Sequence, residues 1–416
     1  MINHALLLAY YYPPDTEAGA LRPSHFARYL PQFGITPTVI TASEAPQLPP
    51  EAVAVPNRTR RPVRTQPLGF TEMALRKFLF PHDEGMLWSF FAFPTAARQL
   101  RPSSVVLSSF PPINTHLIAY RLKRRFGVPW IADFRDPLVE APTRLVPNQT
   151  YRYGRWSEAI DRLLEARIFA HADLLIANTD QVLARWQQRY PHYAPKLRLL
   201  WNGFDSADPI TPLPIPARPY RELVHVGGIF VSRHPNALLE SCHRLIVNGR
   251  LDPQRLRVRL IGVLEPQAIH NRALFDDLTA RGFLEATGQP VPRQEARRAL
   301  CEADLLLLLD VLDFGGGQQL PSKVFEYAQI GRPILTFTVP GSPLETILEG
   351  SGLPHVTLYP NAPPERVDEA VLRFLALPSD PVPASDWLMK TFDARHRVET
   401  LARWIHELPP AARSRR

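Results

Sequence analysis

Residues 320–335 read LPSKVFEYAQIGRPIL and set a basic and an acidic side chain, Lys323 and Glu326, three positions apart. On a helix that spacing puts both on neighbouring points of one face, so both can reach a single ligand. Pro321 fits the first helical turn, where its missing N–H costs nothing, and Gly331 with Pro333 closes the helix before the strand PILTFT. Just upstream, the apolar run DLLLLLD leads through Asp313 into Gly315, Gly316 and Gly317. A strand, a glycine loop and a helix start together form an anion site: exposed N–H groups and the positive end of the helix dipole suit a phosphate, and Lys323 adds a full charge. An isolated Lys-x-x-Glu is as readily a structural ion pair that supports its helix. The strand and glycine loop ahead of it favour the ligand.

Ligands of open parallel sheets bind beyond the carboxyl ends of strands, so the residues that follow other strands come next. After the first strand comes YYPPDTEAGALRPSHFARYL, with Gly19 at a helix start where backbone can approach a phosphate or sugar; a plain turn glycine is the alternative. The run is not G-x-G-x-x-G, and no acidic residue closes the second strand, which disfavours NAD. ADFRDP follows the strand PWIADF, and its Asp133, Arg135 and Asp136 suit orienting hydroxyls or stabilising a leaving phosphate. An internal Asp–Arg lock holding a loop fits equally. In HVGGIFVSRHPNALLES a strand ends at Gly227 and Gly228, and Arg233 precedes a helix opened by Pro235; Arg233 either clamps a diphosphate with Lys323 or is a surface arginine. Glu326 suits two ribose hydroxyls or a surface salt bridge. His116, His225 and His234 lack metal-ligand spacing and read as structural or surface residues.

These residues need scaffolds. A chain of 416 residues exceeds one ordinary core, and 45% hydrophobic residues supply two. Short apolar runs alternate with amphipathic stretches in both halves, the pattern of α/β units around parallel sheets. The strands are HALLLAY, TPTVIT, SVVLSS, PWIADF, DLLIAN and KLRLLW in the first half, then ELVHVG, RVRLIG, FLEATG, DLLLLLD and PILTFT. Between the halves, WNGFDSADPITPLPIPARPY reads as a linker, with the boundary near Asp205. The expected division is 1–205, carrying a Pro- and Arg-rich excursion at about 44–87 rather than another sheet unit, then 206–385, and a helical stretch in 386–416 that returns to the first domain.

Cys242 and Cys301 are the only cysteines, which argues against a disulfide framework and structural zinc. No apolar run approaches the roughly 18 to 20 residues of a membrane span, and the opening MINHALLLAYYYPP reads as a buried strand rather than a signal peptide. A cytoplasmic location fits. The net charge of +8 attracts anionic partners. G-x-S-x-G, H-E-x-x-H, a Walker loop and D-x-D are all missing, which removes the common hydrolase, zinc-protease and triphosphatase readings and disfavours metal-dependent sugar transfer.

With these motifs in hand, the chain resembles the retaining glycosyltransferases of family 4, which have the GT-B fold of two facing Rossmann-like domains. The resemblance rests on PPDTEAGALR, WIADFRDP, ADLLIANTDQV, LLWNGFD, HVGGIFVSRHP and LPSKVFEYAQIGRPIL in family order, over nearly the full length. It implies a nucleotide-diphosphate sugar as substrate rather than a cofactor, no metal, and a glycan or lipid-linked acceptor in the first domain. Arg233 and Lys323 would meet the phosphates and Glu326 the ribose. Gly19, Gly227, Gly228, Gly316, Gly317 and Gln318 would complete the donor site, Asp133, Arg135 and Asp136 would face the acceptor, and Arg233, Lys323, Asp133 and Arg135 would carry catalysis. Three positions depart from the family: Gln318 stands where an acidic residue is common, Gly228 where an arginine often follows the glycine, and Arg135 where a histidine often faces the acceptor.

A non-hydrolysing sugar-nucleotide epimerase of the same fold is the second reading, and a catalytically silent binding protein the third. Nucleic acid is not an expected partner. The basic face near Trp88, Phe90, Phe91 and Phe93 is compatible with an anionic membrane surface, although such aromatics more often form a core.

Overall fold

The computed structural model describes residues 2–15, 18–43, 47–57, 88–139, 155–312 and 317–410. Most of the segment 44–87, including the Arg-rich run 58–64 and the helix expected at TEMALRKFL, lies outside them, as does Gly316.

The first sheet has seven strands in the order β3-β2-β1-β4-β5-β6-β7: β1 His4–Leu8, β2 Thr36–Thr41, β3 Ala52–Ala54, β4 Ser104–Phe110, β5 Trp130–Phe134, β6 Leu174–Ala177 and β7 Leu197–Leu199. All pairings are parallel. Side chains alternate between faces, and each face has its own core. Leu6 and Leu8 of β1 join Val106, Trp130 and Ala132 on one side. Ala5 and Leu7 join Val105, Leu107 and Ile131 on the other, where Val398, Leu401 and Ile405 of the helix Ala394–Glu407 complete the cluster. This burial on both faces is why the strands read as unbroken apolar runs.

The second sheet has six parallel strands in the order β10-β9-β8-β11-β12-β13: β8 Arg221–Val226, β9 Leu256–Ile261, β10 Leu284–Ala286, β11 Leu305–Leu309, β12 Ile334–Phe337 and β13 His355–Leu358. Contacts group the described residues up to Asp205 with those from Phe392 onward as one compact unit, and Ser206–Thr391 as the other. In each sheet the order reverses once, between β1 and β4 and between β8 and β11. A doubly wound sheet opens its ligand crevice at that switch point.

One expectation is corrected. The excursion contributes a sheet unit after all, since Ala52–Ala54 pairs with Val39–Thr41 as an edge strand. It is short and mostly half-buried, so it carries no apolar periodicity; its partner strand defines it.

Buried imidazoles divide unevenly between the units. His4, His25 and His116 are sealed into the first, where burial lowers their pKa values to about 4, 4 and 3, helped in turn by Arg101, Arg397 and Arg135. The second unit has His225, at about 3, and Asp310, which burial raises to about 6. A histidine with a depressed folded pKa gives stability that is complete above the unfolded value and lost as pH falls through the folded one. At 1.36 kcal/mol per pKa unit the deeply buried His25 and His116 are each worth roughly 3 to 5 kcal/mol, against about 5 to 15 for a whole domain. A raised carboxyl works the opposite way: Asp310 favours the folded state as pH falls below about 6. Glu165 does the same in the first unit, one group against three imidazoles. Acid should therefore unfold the first unit at a higher pH than the second, starting below 6.5. Trp88, Trp130 and Trp186 are buried in the first unit, so tryptophan fluorescence should shift before far-UV ellipticity is lost; coincident transitions would refute this order.

Candidate functional site

In the second unit the segments that follow β8 and β11 meet at the switch point of the sheet. β8 ends at Val226, and the chain turns at Gly227, whose φ of 151° suits only glycine. A Cβ there would lie 2.7 Å from Lys323 Nζ and 3.2 Å from His225 Nε2. The bare backbone of Gly227 thus makes room for the Lys323 ammonium. Lys323 opens the helix Lys323–Ile330, which Tyr327 anchors to β11 by donating to the Leu307 carbonyl at 3.2 Å. The regular helix begins after Pro321 rather than at it: the Pro321 and Ser322 carbonyls accept the N–H groups of Val324 and Phe325 in a preceding tight turn.

Lys323 and Arg233 are both half-buried, and among the described residues neither side chain has an ion-pair or hydrogen-bond partner; Arg233 Nε is buried and unbonded. This decides one alternative. Lys323 and Glu326 form no ion pair, although the Glu326 charge supports the ammonium. Burial lowers the Lys323 pKa, with Arg233 adding to the effect, and burial lowers that of Arg233 against the opposing charge of Asp310. Two half-buried cations, neither of them in an ion pair among the described residues, create a local potential for an anion.

Two residues not singled out for this site complete it. His225 is neutral, held there by burial and the two cations. Its Nδ1–H must donate to the Leu307 carbonyl at 3.0 Å, which can only accept, so Nε2 is a buried acceptor without a partner among the described residues. Asp310 follows β11, takes the Val311 N–H at 2.8 Å and the Thr338 hydroxyl at 2.6 Å, and supplies the negative charge opposite Arg233. Their sequence signals were a histidine two residues before Gly227 and the carboxylate that closes DLLLLLD.

Other predicted donor residues divide. Gly317 has φ 80° and packs where a Cβ would meet Val339 Cγ2 at 3.1 Å, so the loop needs glycine there. Gly228 serves its own turn, since a Cβ would strike the Phe230 ring at 2.3 Å. Gln318 is buried, 2% exposed. Next along from Arg233, a cavity of about 410 Å³ is lined by polar groups including His234, Asn236, Glu240, His270 and Tyr359.

In the first unit, Asp133 is revised. Its carboxylate is 0% exposed and takes Arg22 Nη2 at 2.6 Å, Arg22 Nε at 3.0 Å and the Ser109 hydroxyl at 3.1 Å. It is an internal lock, and its arginine is Arg22 rather than Arg135. Arg22 also donates to the carbonyls of Leu200 and Trp201 at 2.7 Å, tying the first helix to the chain after β7. Asp133 therefore positions the strand end and is not available to a substrate. Arg135, two residues on, is half-buried and donates to the carbonyls of Phe110 and Pro111. A Cβ on Gly19 would lie 2.6 Å from its Nη1, so Gly19 makes room for this guanidinium. Burial lowers the Arg135 pKa, opposed by Asp136 and Asp133. Gly19, Arg135 and Asp136 thus form one cluster, in a different unit from Lys323.

Residues 19–203 match the family model of a glycosyl transferase 4-like domain. No curated protein sequence matches the chain. Among solved structures, sucrose-phosphate synthase from Thermosynechococcus elongatus is similar at 15% identity and TM-score 0.63, covering 97% of this chain and 98% of its own. An α,α-trehalose-phosphate synthase (UDP-forming) from Burkholderia xenovorans, in complex with glucose-6-phosphate, has 11% identity and TM-score 0.61 over 97% and 100%. Anabaena HepE in complex with UDP and glucose has 12% identity and TM-score 0.60 over 97% and 100%. These likenesses establish the fold, the two-unit α/β architecture of GT-B glycosyltransferases.

Proposed function

We propose that this chain, which carries a glycosyl transferase 4-like domain, is a retaining glycosyltransferase that moves a sugar from a nucleotide-diphosphate sugar to a glycan or lipid-linked acceptor in the synthesis of cell-surface polysaccharide or glycoconjugate. The observation that carries the reading is a pair of cations, Lys323 and Arg233, that form no ion pair among the described residues at the switch point of the second sheet. A departing nucleoside diphosphate gains negative charge as the glycosidic bond breaks, and fixed cations in a desolvated site stabilise it more than they stabilise the bound donor. Lys323, Arg233 and the start of the helix Lys323–Ile330 take that charge, so the chemistry requires neither a protein nucleophile nor a metal. Gly227 lets backbone approach the diphosphate, and the Glu326 carboxylate accepts the ribose hydroxyls. In the first unit, Arg135 and Asp136 receive the acceptor, held in place by the Asp133–Arg22 lock. The UDP named with two of the similar structures supports a nucleotide donor and makes UDP the first probe. No helix among the described residues is long and apolar enough to cross a membrane, and we place the reaction in the cytoplasm.

A panel of nucleotide-diphosphate sugars incubated with the protein and a membrane extract tests the reading. One donor should release its nucleoside diphosphate and label an acceptor with the anomeric configuration retained. Isomerisation of the donor without release would establish the epimerase, and saturable binding without turnover the silent protein. Gly227→Ala should weaken UDP binding by at least about tenfold, because the new methyl occupies the place of the Lys323 ammonium and the backbone is strained. A thermal-shift titration reads this; unchanged affinity would remove Gly227 from the site.

A further inference from the structure

Two neighbouring helices of the first unit, Trp88–Arg98 and Asn114–Phe126, combine features that the sugar-transfer reading does not use. Phe90 and Phe91 are 60% and 54% exposed, side by side on the first helix, and Phe126 is also exposed at the end of the second. Around them stand Arg121, Arg124 and Arg125. The Arg121 guanidinium lies 5.4 Å from the Phe90 ring centre and 4.2 Å from that of Phe93, and Arg125 lies 5.6 Å from Phe126. Neither helix contains an acidic residue. Asp173 is taken by Lys123 at 2.7 Å, and the three arginines have no carboxylate partner among the described residues. A shallow depression of about 430 Å³ lies between Phe93, Tyr120 and these arginines.

Exposed phenylalanines in water are unfavourable, and a cluster of them inside a single-sign basic patch marks an interaction surface. We propose that this face docks on an anionic lipid bilayer. The arginines meet the headgroups and the phenylalanines enter the boundary with the acyl chains, which is the division of labour of an interfacial amphipathic surface. Guanidinium stems lying along aromatic rings let both groups reach the same depth. The proposal stands apart from the donor site, because binding to a bilayer requires no transfer.

The test is co-sedimentation of the full chain with vesicles of phosphatidylcholine alone or mixed with phosphatidylglycerol. The protein should sediment with the mixed vesicles and not the neutral ones, and high salt should release it. The double variant Phe90→Ser/Phe91→Ser should bind on the order of tenfold more weakly, and Arg121→Glu/Arg124→Glu should abolish binding, while UDP affinity and the melting temperature stay unchanged. Equal binding to both vesicle types, no binding to either, or wild-type binding by both variants would overturn the proposal. So would tighter binding to single-stranded RNA than to the vesicles, lost in the same variants, which would assign the face to nucleic acid.

Discussion

Lys323→Ala should lower kcat/KM for sugar transfer by on the order of 10² to 10³ while the melting temperature stays at or above that of the wild type. The two halves of this expectation have one cause. Lys323 is a half-buried cation with no ion-pair partner among the described residues, and burial lowers its pKa, so the folded unliganded protein carries the cost of its desolvation. Removing the charge relieves that cost and, on the proposed function, takes away a cation that meets the leaving diphosphate. Lys323→Met keeps the apolar stem and should lose activity equally. A structural ion pair would behave in the opposite way, losing stability with its charge. Wild-type turnover in Lys323→Ala would exclude the phosphate role.

Asp133→Ala should show the converse signature: a loss of about 3 to 5 kcal/mol of stability, because breaking one partner of a buried ion pair leaves the other uncompensated. Arg22 is 3% exposed and Asp133 fully buried. The effect spreads beyond the pair, since Arg397 donates to the same Trp201 carbonyl as Arg22, and burial with the Arg22 charge lowers its pKa to about 9. Without Asp133 two buried guanidinium groups would face each other with less negative charge between them. For a unit of this size the loss corresponds to roughly 10 °C in melting temperature. Urea denaturation of the variant measures it. A variant as stable as the wild type but inactive would restore Asp133 to a direct substrate role.

The strands were legible wherever both faces are buried. The five leucines of β11 and the run HALLL of β1 can be little else in an alternating α/β chain. β13 was not, because His355–Thr357 are half-buried on an edge and their pattern is neither alternating nor continuous. For the site, residue type and strand-end position singled out Lys323, Arg233 and Gly227, since an anion site is built from local features: a turn, a helix start and a cation. Contacts between distant segments were not legible. Asp133 finds Arg22 across 111 positions, and nothing near either residue announces the pairing; ADFRDP offered a nearer arginine, and the fold chose another. From the sequence His225 is a structural or surface histidine, because its significance comes from Lys323 and Arg233, which the fold brings to it.

Calorimetric titration of UDP into the wild type and into the double variant Lys323→Ala/Arg233→Ala tests the central claim most directly. The account predicts one saturable site in the wild type and none in the folded double variant. Equal affinity in both proteins would place nucleotide binding elsewhere and contradict it.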